Sequence, residues 1–232
     1  PWLSNDDILN CKIAYNKYGG YCIPLSSIHR PAVKKIINGQ IHEYQTIKYI
    51  VENMEDGDII HAGTFFGDFL PALSIHLPKD NIIWAYEPNK ENYKCALITT
   101  IINSLNNVNL FNAGLGEKNY TGKLKIKDKE GKNLGGSSQI LDKKEILGEY
   151  QDINIYSLDE NLPDKRKISL IHLDVKKKKK KALMGALQTI IKYKPIIIVE
   201  TLPDEEFLKK HFFTLGYKLS GKIHNNYILK IY

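Results

Sequence analysis

Cysteine is scarce in this chain. Cys11, Cys22 and Cys95 are the three among 232 residues, and an odd count in no Cys-x-x-Cys or Cys/His ligand spacing gives neither a disulfide framework nor a thiolate metal site. A reducing, cytoplasmic setting is expected. Long apolar runs are missing too: no stretch approaches the roughly 18 residues of a membrane span, and Pro1 to Asp7 carries neither the charged nor the apolar region of a signal peptide. A chain without membrane attachment is expected, and, because it opens on proline in place of methionine, a trimmed or partial one. The seven histidines, His29, His42, His61, His76, His172, His211 and His224, form no His-x-x-x-His or His-Glu-x-x-His pattern, so no metal is expected. Neither a Gly-x-Ser-x-Gly elbow nor a Gly-Lys-Ser/Thr loop occurs, which argues against hydrolases and nucleotide triphosphatases.

A basic surface is also less present than the formal charge of +7 suggests, because Lys176 to Lys181 is an unbroken run of six lysines. Taking these six from the 33 lysines and arginines leaves 27 against 26 acids. One local feature therefore makes the balance. Phosphate-tracking proteins spread Lys and Arg over a face, so nucleic acid is not the expected partner.

What the chain does have is 43% apolar residues, enough for one sizeable core, arranged as short aliphatic runs alternating with longer amphipathic ones. That alternation predicts βαβ units feeding a parallel sheet. Strands are expected at residues 58–62, 82–87, 108–112, 167–174 and 195–200. Helices are expected at 43–54, 67–77, 90–104, from the lysine run to Tyr193, and at 207–215, with a closing hairpin from 217–220 and 227–231. Residues 1–30 show no clear period. Residues 116–163 read as an insertion, either a lid or substrate loop or a plain surface excursion with a small hairpin at 123–128.

Gly63-Thr64-Phe65-Phe66-Gly67 falls between a predicted strand and a predicted helix, where glycines let backbone approach a ligand in a doubly wound sheet. The Gly-x-x-x-Gly spacing is not the dinucleotide fingerprint, so a pyrophosphate cofactor is disfavoured. Glu87 ends the second strand, 20 residues beyond Gly67. A carboxylate there either accepts both hydroxyls of a ribose or is a solvated strand-end acid.

Five blocks in order, residues 58–68 (Asp-Ile-Ile-His-Ala-Gly-Thr-Phe-Phe-Gly-Asp), Tyr86-Glu87-Pro88-Asn89, residues 112–116 (Asn-Ala-Gly-Leu-Gly), residues 133–138 (Asn-Leu-Gly-Gly-Ser-Ser) and Ile171-His172-Leu173-Asp174-Val175, resemble successive signatures of the FkbM family of S-adenosylmethionine-dependent methyltransferases. The resemblance implies an α/β fold, a Rossmann-like three-layer αβα sandwich with a mostly parallel seven-stranded sheet and an antiparallel C-terminal hairpin. It implies an N-terminal extension over 1–41 and a methyltransferase domain over 42–232. It also implies S-adenosyl-L-methionine as cofactor, bound by His61, Gly63, Thr64, Phe65, Gly67 and Asp68 of the first turn and by Glu87, Pro88, Asn89, Asn112 and Ala113 at the next strand ends. Asp174 would face the sulfonium and the acceptor, where close opposite charge is favourable.

Two departures from the family pattern matter. The family usually carries an acid where this chain has His61, which is either a satisfied core histidine or a donor to the cofactor or a base. After the Asp-Val pair the family continues Glu-Gly-x-Glu, whereas this chain has Lys176 to Lys179. Adjacent like charges at a helix start oppose its positive dipole, so fraying is expected there; the run is either an anion-binding rim or a solvated cluster. The expected reaction is O-methylation of a small-molecule or carbohydrate hydroxyl, with Asp174 or His172 as general base. The competing expectation is a catalytically silent binding module that keeps the fold. Oligomeric state is left open.

Overall fold

The computed structural model describes residues 8–141, 149–175 and 178–232. A hairpin of β1 (Cys11–Asn16) and β2 (Gly19–Pro24) leads into helices α1 (Pro31–Ile37) and α2 (Tyr44–Asn53). Alternation then begins with β3 (Asp58–Ala62), α3 (Leu70–His76), β4 (Ile83–Tyr86), α4 (Lys90–Ile102) and β5 (Val108–Phe111). After β6 (Ala113–Leu115) the insertion contributes β7 (Tyr120–Lys127), β8 (Gln139–Leu141), β9 (Glu149–Tyr156) and the short α5 (Leu158–Asn161). The chain closes with β10 (Ile168–Leu173), α6 (Lys179–Met184), α7 (Leu187–Tyr193), β11 (Ile196–Val199), α8 (Glu205–His211), β12 (Lys218–Ile223) and β13 (Asn226–Lys230).

Seven strands form the central sheet in the order β12-β13-β11-β10-β3-β4-β5. The five from β11 to β5 are parallel, and β13 runs antiparallel to both β11 and β12. This is the expected Rossmann-like sandwich. Every residue of β3, β4 and β10 is buried, as strands covered on both faces must be, and their near-continuous apolar sequences follow from that. Ile59, Ile83, Leu170 and Ile198 pack against Ile47 and Ile50 of α2 on one face; Ile60, Ile171 and Ile197 meet Leu183 and Ile190 of α6 and α7 on the other. Each such fully buried aliphatic side chain contributes about 1.5–3 kcal/mol.

Local chemistry sets several boundaries. Asn89 caps α4 by accepting from the amides of Glu91 and Asn92 at 3.0 and 3.2 Å, and Asp204 caps α8 through Phe207 N at 3.0 Å. The single helix expected up to Tyr193 is instead two, α6 and α7. The break falls at Gly185, where a Cβ would overlap the carbonyl oxygen of Gly116 from the insertion. A backbone crossing that close forbids a side chain and bends the path.

The hairpin β1–β2 is a finding that periodicity did not give. It packs on α4: Cys22 N donates to Thr99 Oγ1 at 3.0 Å, and Gly20 exchanges hydrogen bonds with the Asn103 amide at 2.9 and 2.6 Å. All of Gly20 to Pro24 is buried, which erases the alternation of a half-exposed strand. The insertion, too, is more than a small hairpin. β7 pairs antiparallel with both β8 and β9, and β6 runs parallel to β9, giving a separate four-stranded sheet around Leu124, Ile140, Ile153 and Ile155.

The lysine run divides. Lys176 and Lys177 lie outside the described residues, whereas Lys179, Lys180 and Lys181 form the first turn of α6 and Lys178 is buried beside it. In the described part of the run, Lys180 pairs with Asp204 and lies 5.4 Å from the centre of the Phe207 ring. An acid and an aromatic face from α8 thus answer one of the charges.

Candidate functional site

Sheet order reverses between β3 and β10, since β4 and β5 extend to one side of β3 while β10 and β11 extend to the other. Crevices form at such a switch point, beyond the carboxyl ends of the strands. Here the turn after β3 and the exit from β10 meet. Gly63 has φ 85°, and a Cβ on it would overlap the Asp174 carbonyl oxygen, while Asp174 N donates to Ala62 O at 2.9 Å. Only glycine fits both demands at once.

Glu87 holds this turn. Its Oε2 accepts from the Phe65 amide at 2.8 Å and its Oε1 from the Asn89 amide at 2.8 Å, with Asn92 Nδ2 at 3.4 Å. Phe65 sits in the left-handed region at φ 52°, costly for an aromatic residue, and the bond to Glu87 offsets that cost. Burial pushes the Glu87 carboxyl up to about 7, against the lowering effect of the Asn89 and Phe65 amides. Oε2 retains a second lone pair for a ligand hydroxyl.

His61 and His172 are register partners on β3 and β10. Their Nδ1 atoms are 3.0 Å apart and their rings lie 13° from parallel, with Phe69 against both at 5.3 and 5.4 Å. Burial drives both to the neutral form, His61 well below the usual range and His172 down to about 4. His61 Nε2 is buried without a hydrogen-bond partner, whereas the His172 side chain is hydrogen-bonded to Asn226.

These groups face a single cleft with about 840 Å³ of empty space, counted with its open mouth. Its walls include Gly63, Phe65, Asp68, Glu87, Pro88, Ala113 and Asp174 from the strand ends, with the imidazoles of His61 and His172. Leu124, Gly135, Ser138 and Ile140 come from the insertion, which therefore contributes a wall of the cleft. Arg30 anchors that wall by donating to the Leu134 carbonyl and, at 3.0 Å, to Ser137 Oγ. Four carboxylates, Glu43, Asp68, Glu87 and Asp174, line the space, and among the described residues no lysine or arginine does. Asp68 is held well above the ordinary carboxylate range by burial and then by the charges of Glu43, Asp174 and Glu87. A cation entering the cleft would relieve this strain.

Most residues expected at the site converge here: His61, Gly63, Phe65, Asp68, Glu87, Pro88, Ala113, His172 and Asp174. Four stand behind the wall. Thr64 Oγ1 donates to His61 O at 3.1 Å, Gly67 sits against α4, Asn89 caps α4, and Asn112 Nδ2 donates to the Glu87 and Pro88 carbonyls at 2.9 and 3.2 Å. They shape the turns that carry the lining residues. Sequence reading missed His42 and Glu43, which precede α2, and Phe69, Leu124 and Ile140. Glu43 left one trace, an acid beside the start of an expected helix. Among the described residues no group of three or more His, Cys, Asp or Glu is disposed to hold a metal ion, and no helix is long and apolar enough to cross a membrane.

The doubly wound sheet, with an antiparallel strand next to its edge and an acid-lined cleft at its switch point, is a Rossmann-like fold with its ligand site where such sheets carry one. The Methyltransferase FkbM domain matches residues 61–219, and the chain belongs to that family. Methyltransferase FkbM from Methylobacillus flagellatus KT is similar in structure, with a TM-score of 0.56 at 15% identity over 83% of this chain. The similarity spans 48% of that protein, about half its length. A SAM-dependent O-methyltransferase from Thermotoga maritima superposes with a TM-score of 0.45 at 14% identity, covering 95% of this chain and 78% of its own. No curated protein matches the chain.

S-adenosyl-L-methionine is the cofactor that the family resemblance implies, and the residues present fit it. Glu87 offers acceptor capacity for a ribose, the acid lining suits a ligand with cationic sulfonium and ammonium groups, and the orphaned Nε2 of His61 awaits a polar partner.

Proposed function

We propose that the chain methylates a hydroxyl oxygen of a small molecule or carbohydrate. The observation that carries this reading is the wall from the insertion, where Leu124, Ile140, Gly135 and Ser138 line the cleft together with the acidic strand ends. A concave site walled in this way suits a compact acceptor over a polymer laid across a surface. When bound, S-adenosylmethionine supplies an electrophilic methyl on a cationic sulfur.

The chain's own part is mostly positioning. Glu87 and the 63–67 turn fix the donor, the wall from the insertion bounds the acceptor side, and holding an acceptor at attack distance makes an internal step of a bimolecular one. Asp174, at the exit of β10 with its amide fixed on Ala62, is the general base for a weakly acidic hydroxyl. His172 is the weaker candidate. Its conjugate acid lies near 4 and its Nδ1 is already engaged by His61, so it accepts a proton poorly near neutrality. The free thiols Cys11, Cys22 and Cys95 fit a cytoplasmic setting.

The competing reading, a silent binding module, draws on the lysines after Asp174 and Val175. Transfer of a labelled methyl group to a panel of sugars and small alcohols separates the two. Label in a hydroxyl-bearing product, abolished by Asp174→Asn, supports the enzyme; binding of S-adenosylhomocysteine without transfer to any acceptor supports the module.

A further inference from the structure

The chain has three cysteines, and all three meet outside the cleft. Cys11 lies on β1, Cys22 on β2 and Cys95 on α4. In the hairpin register Cys11 stands opposite Pro24 and Cys22 opposite Ile13, so the two thiols are diagonal neighbours on one face of the ribbon. Cys22 also meets α4: its amide donates to Thr99 Oγ1 at 3.0 Å, one helical turn beyond Cys95. Its side chain is hydrogen-bonded to both Cys95 and Cys11. Three sulfurs thus lie in a row from core to surface, with Cys95 and Cys22 buried and Cys11 half-buried.

A thiol that only fills a core behaves as a small apolar group and needs no sulfur partner. Here the middle sulfur has one on either side. Hydrogen bonds from Cys95 and from Cys11 hold the Cys22 thiol down to about 7, against the raising effect of burial. Burial and the bond to Cys22 push the Cys11 thiol up to about 11. Cys22 is therefore the thiolate of the row and Cys11 a proton donor beside it. Thiolates are the reactive form of cysteine, and oxidation-responsive sites set one next to a second thiol that resolves the product.

We propose that Cys11 and Cys22 are an oxidation site for hydrogen peroxide, closing to a disulfide between β1 and β2. The Cys22 thiolate attacks one peroxide oxygen and the O–O bond breaks. Cys22 becomes a sulfenic acid, and the departing hydroxide takes the Cys11 proton to form water. The Cys11 thiolate then attacks the Cys22 sulfur, the S–O bond breaks and hydroxide leaves. One electron pair passes from the two sulfurs to the peroxide, which ends as water and hydroxide. Cys95 stays a thiol, as the donor that holds Cys22 ionised. Peroxide enters on the side of Cys11, which reaches the surface.

Thiol counting on the full chain tests this. The reduced chain, unfolded and treated with N-ethylmaleimide, takes a label on each of its three cysteines. After hydrogen peroxide only Cys95 is expected to be labelled, with peptide mass mapping joining Cys11 to Cys22 and dithiothreitol restoring the full count. Cys11→Ser, a change at the half-buried position, is expected to leave Cys22 as a sulfenic acid that dimedone traps. A full count after peroxide, a bond that leaves Cys11 free, or closure as fast in urea as in the folded chain overturns the site.

Discussion

Glu87 Oε2 and the Phe65 amide are hydrogen-bonded at 2.8 Å, so the acid that ends β4 also holds the turn that ends β3. Ligand binding and turn geometry are coupled through one side chain. Much of the behaviour expected of the cleft follows from that coupling.

Glu87→Ala removes a ribose acceptor and frees the turn, and affinity for S-adenosylhomocysteine should fall at least tenfold by calorimetry. Folding stability should move much less. Two amides lose a partner, at about 1–3 kcal/mol each if they stay buried, but an acid with its carboxyl raised to about 7 is also removed. That relief is worth about 3 kcal/mol near neutral pH, comparable in size and opposite in sign. A melting temperature that drops as severely as the affinity would show a structural role alone.

Gly63→Ala meets both a φ of 85° and the Asp174 carbonyl. A destabilisation above about 2 kcal/mol is expected in urea titrations. The variant should lose cofactor affinity as well, because the backbone of either β3 or β10 must retreat from the cleft. Unchanged stability would mean that the two loops do not touch.

Stability should depend on pH in a way that isolates Glu87. Its folded value, about 7, lies above its ordinary 4.5, so the folded state binds the extra proton and stability falls as pH rises between those values. Relative to Glu87→Gln, the unaltered chain should lose about 3 kcal/mol from pH 4.5 to 7. His172 acts in the opposite sense: held near 4 in place of 6.5, its contribution is present above pH 6.5 and lost as pH falls toward 4. The unaltered chain alone would blend both slopes, which is why the comparison with Glu87→Gln is the measurement to make. A flat difference across that range contradicts the burial of Glu87.

Asp58 serves as a control at the amino-terminal end of β3, away from the cleft. It is 1% exposed and accepts from Arg166 through both oxygens, from Trp84 Nε1 at 2.7 Å and from Ile82 N at 2.9 Å. Asp58→Ala leaves the buried Trp84 indole N–H unmatched and the partly exposed Arg166 guanidinium without its partner, at a cost of about 1–3 kcal/mol. Cofactor affinity of the folded fraction should not change, since no part of this network reaches the cleft.

The fold was largely legible because its strands are buried on both faces and bounded by turn residues. β3, β4, β10 and β11 read as aliphatic runs, and the Gly63 turn with Glu87 marked the switch point. The hairpin β1–β2 was not legible, because its buried strand β2 contacts α4 through backbone and small residues and so carries no alternating signal. The site itself was half legible. Residues placed by strand ends were found, whereas Glu43 reaches the cleft through a left-handed residue and an anchor 183 positions away, Asn226. His61 read as a departure from the family acid; its partner, His172, became visible only when β3 and β10 lay in register. Asn112 stands at the expected strand end, and its amide donates to the Glu87 and Pro88 carbonyls.

The most direct test of the central claim is a crystal structure of the chain with S-adenosylhomocysteine. The nucleoside should lie against the 63–67 turn, its ribose hydroxyls on the Glu87 carboxylate. A ligand seated elsewhere, or a cleft filled by water at saturating ligand, would contradict the account.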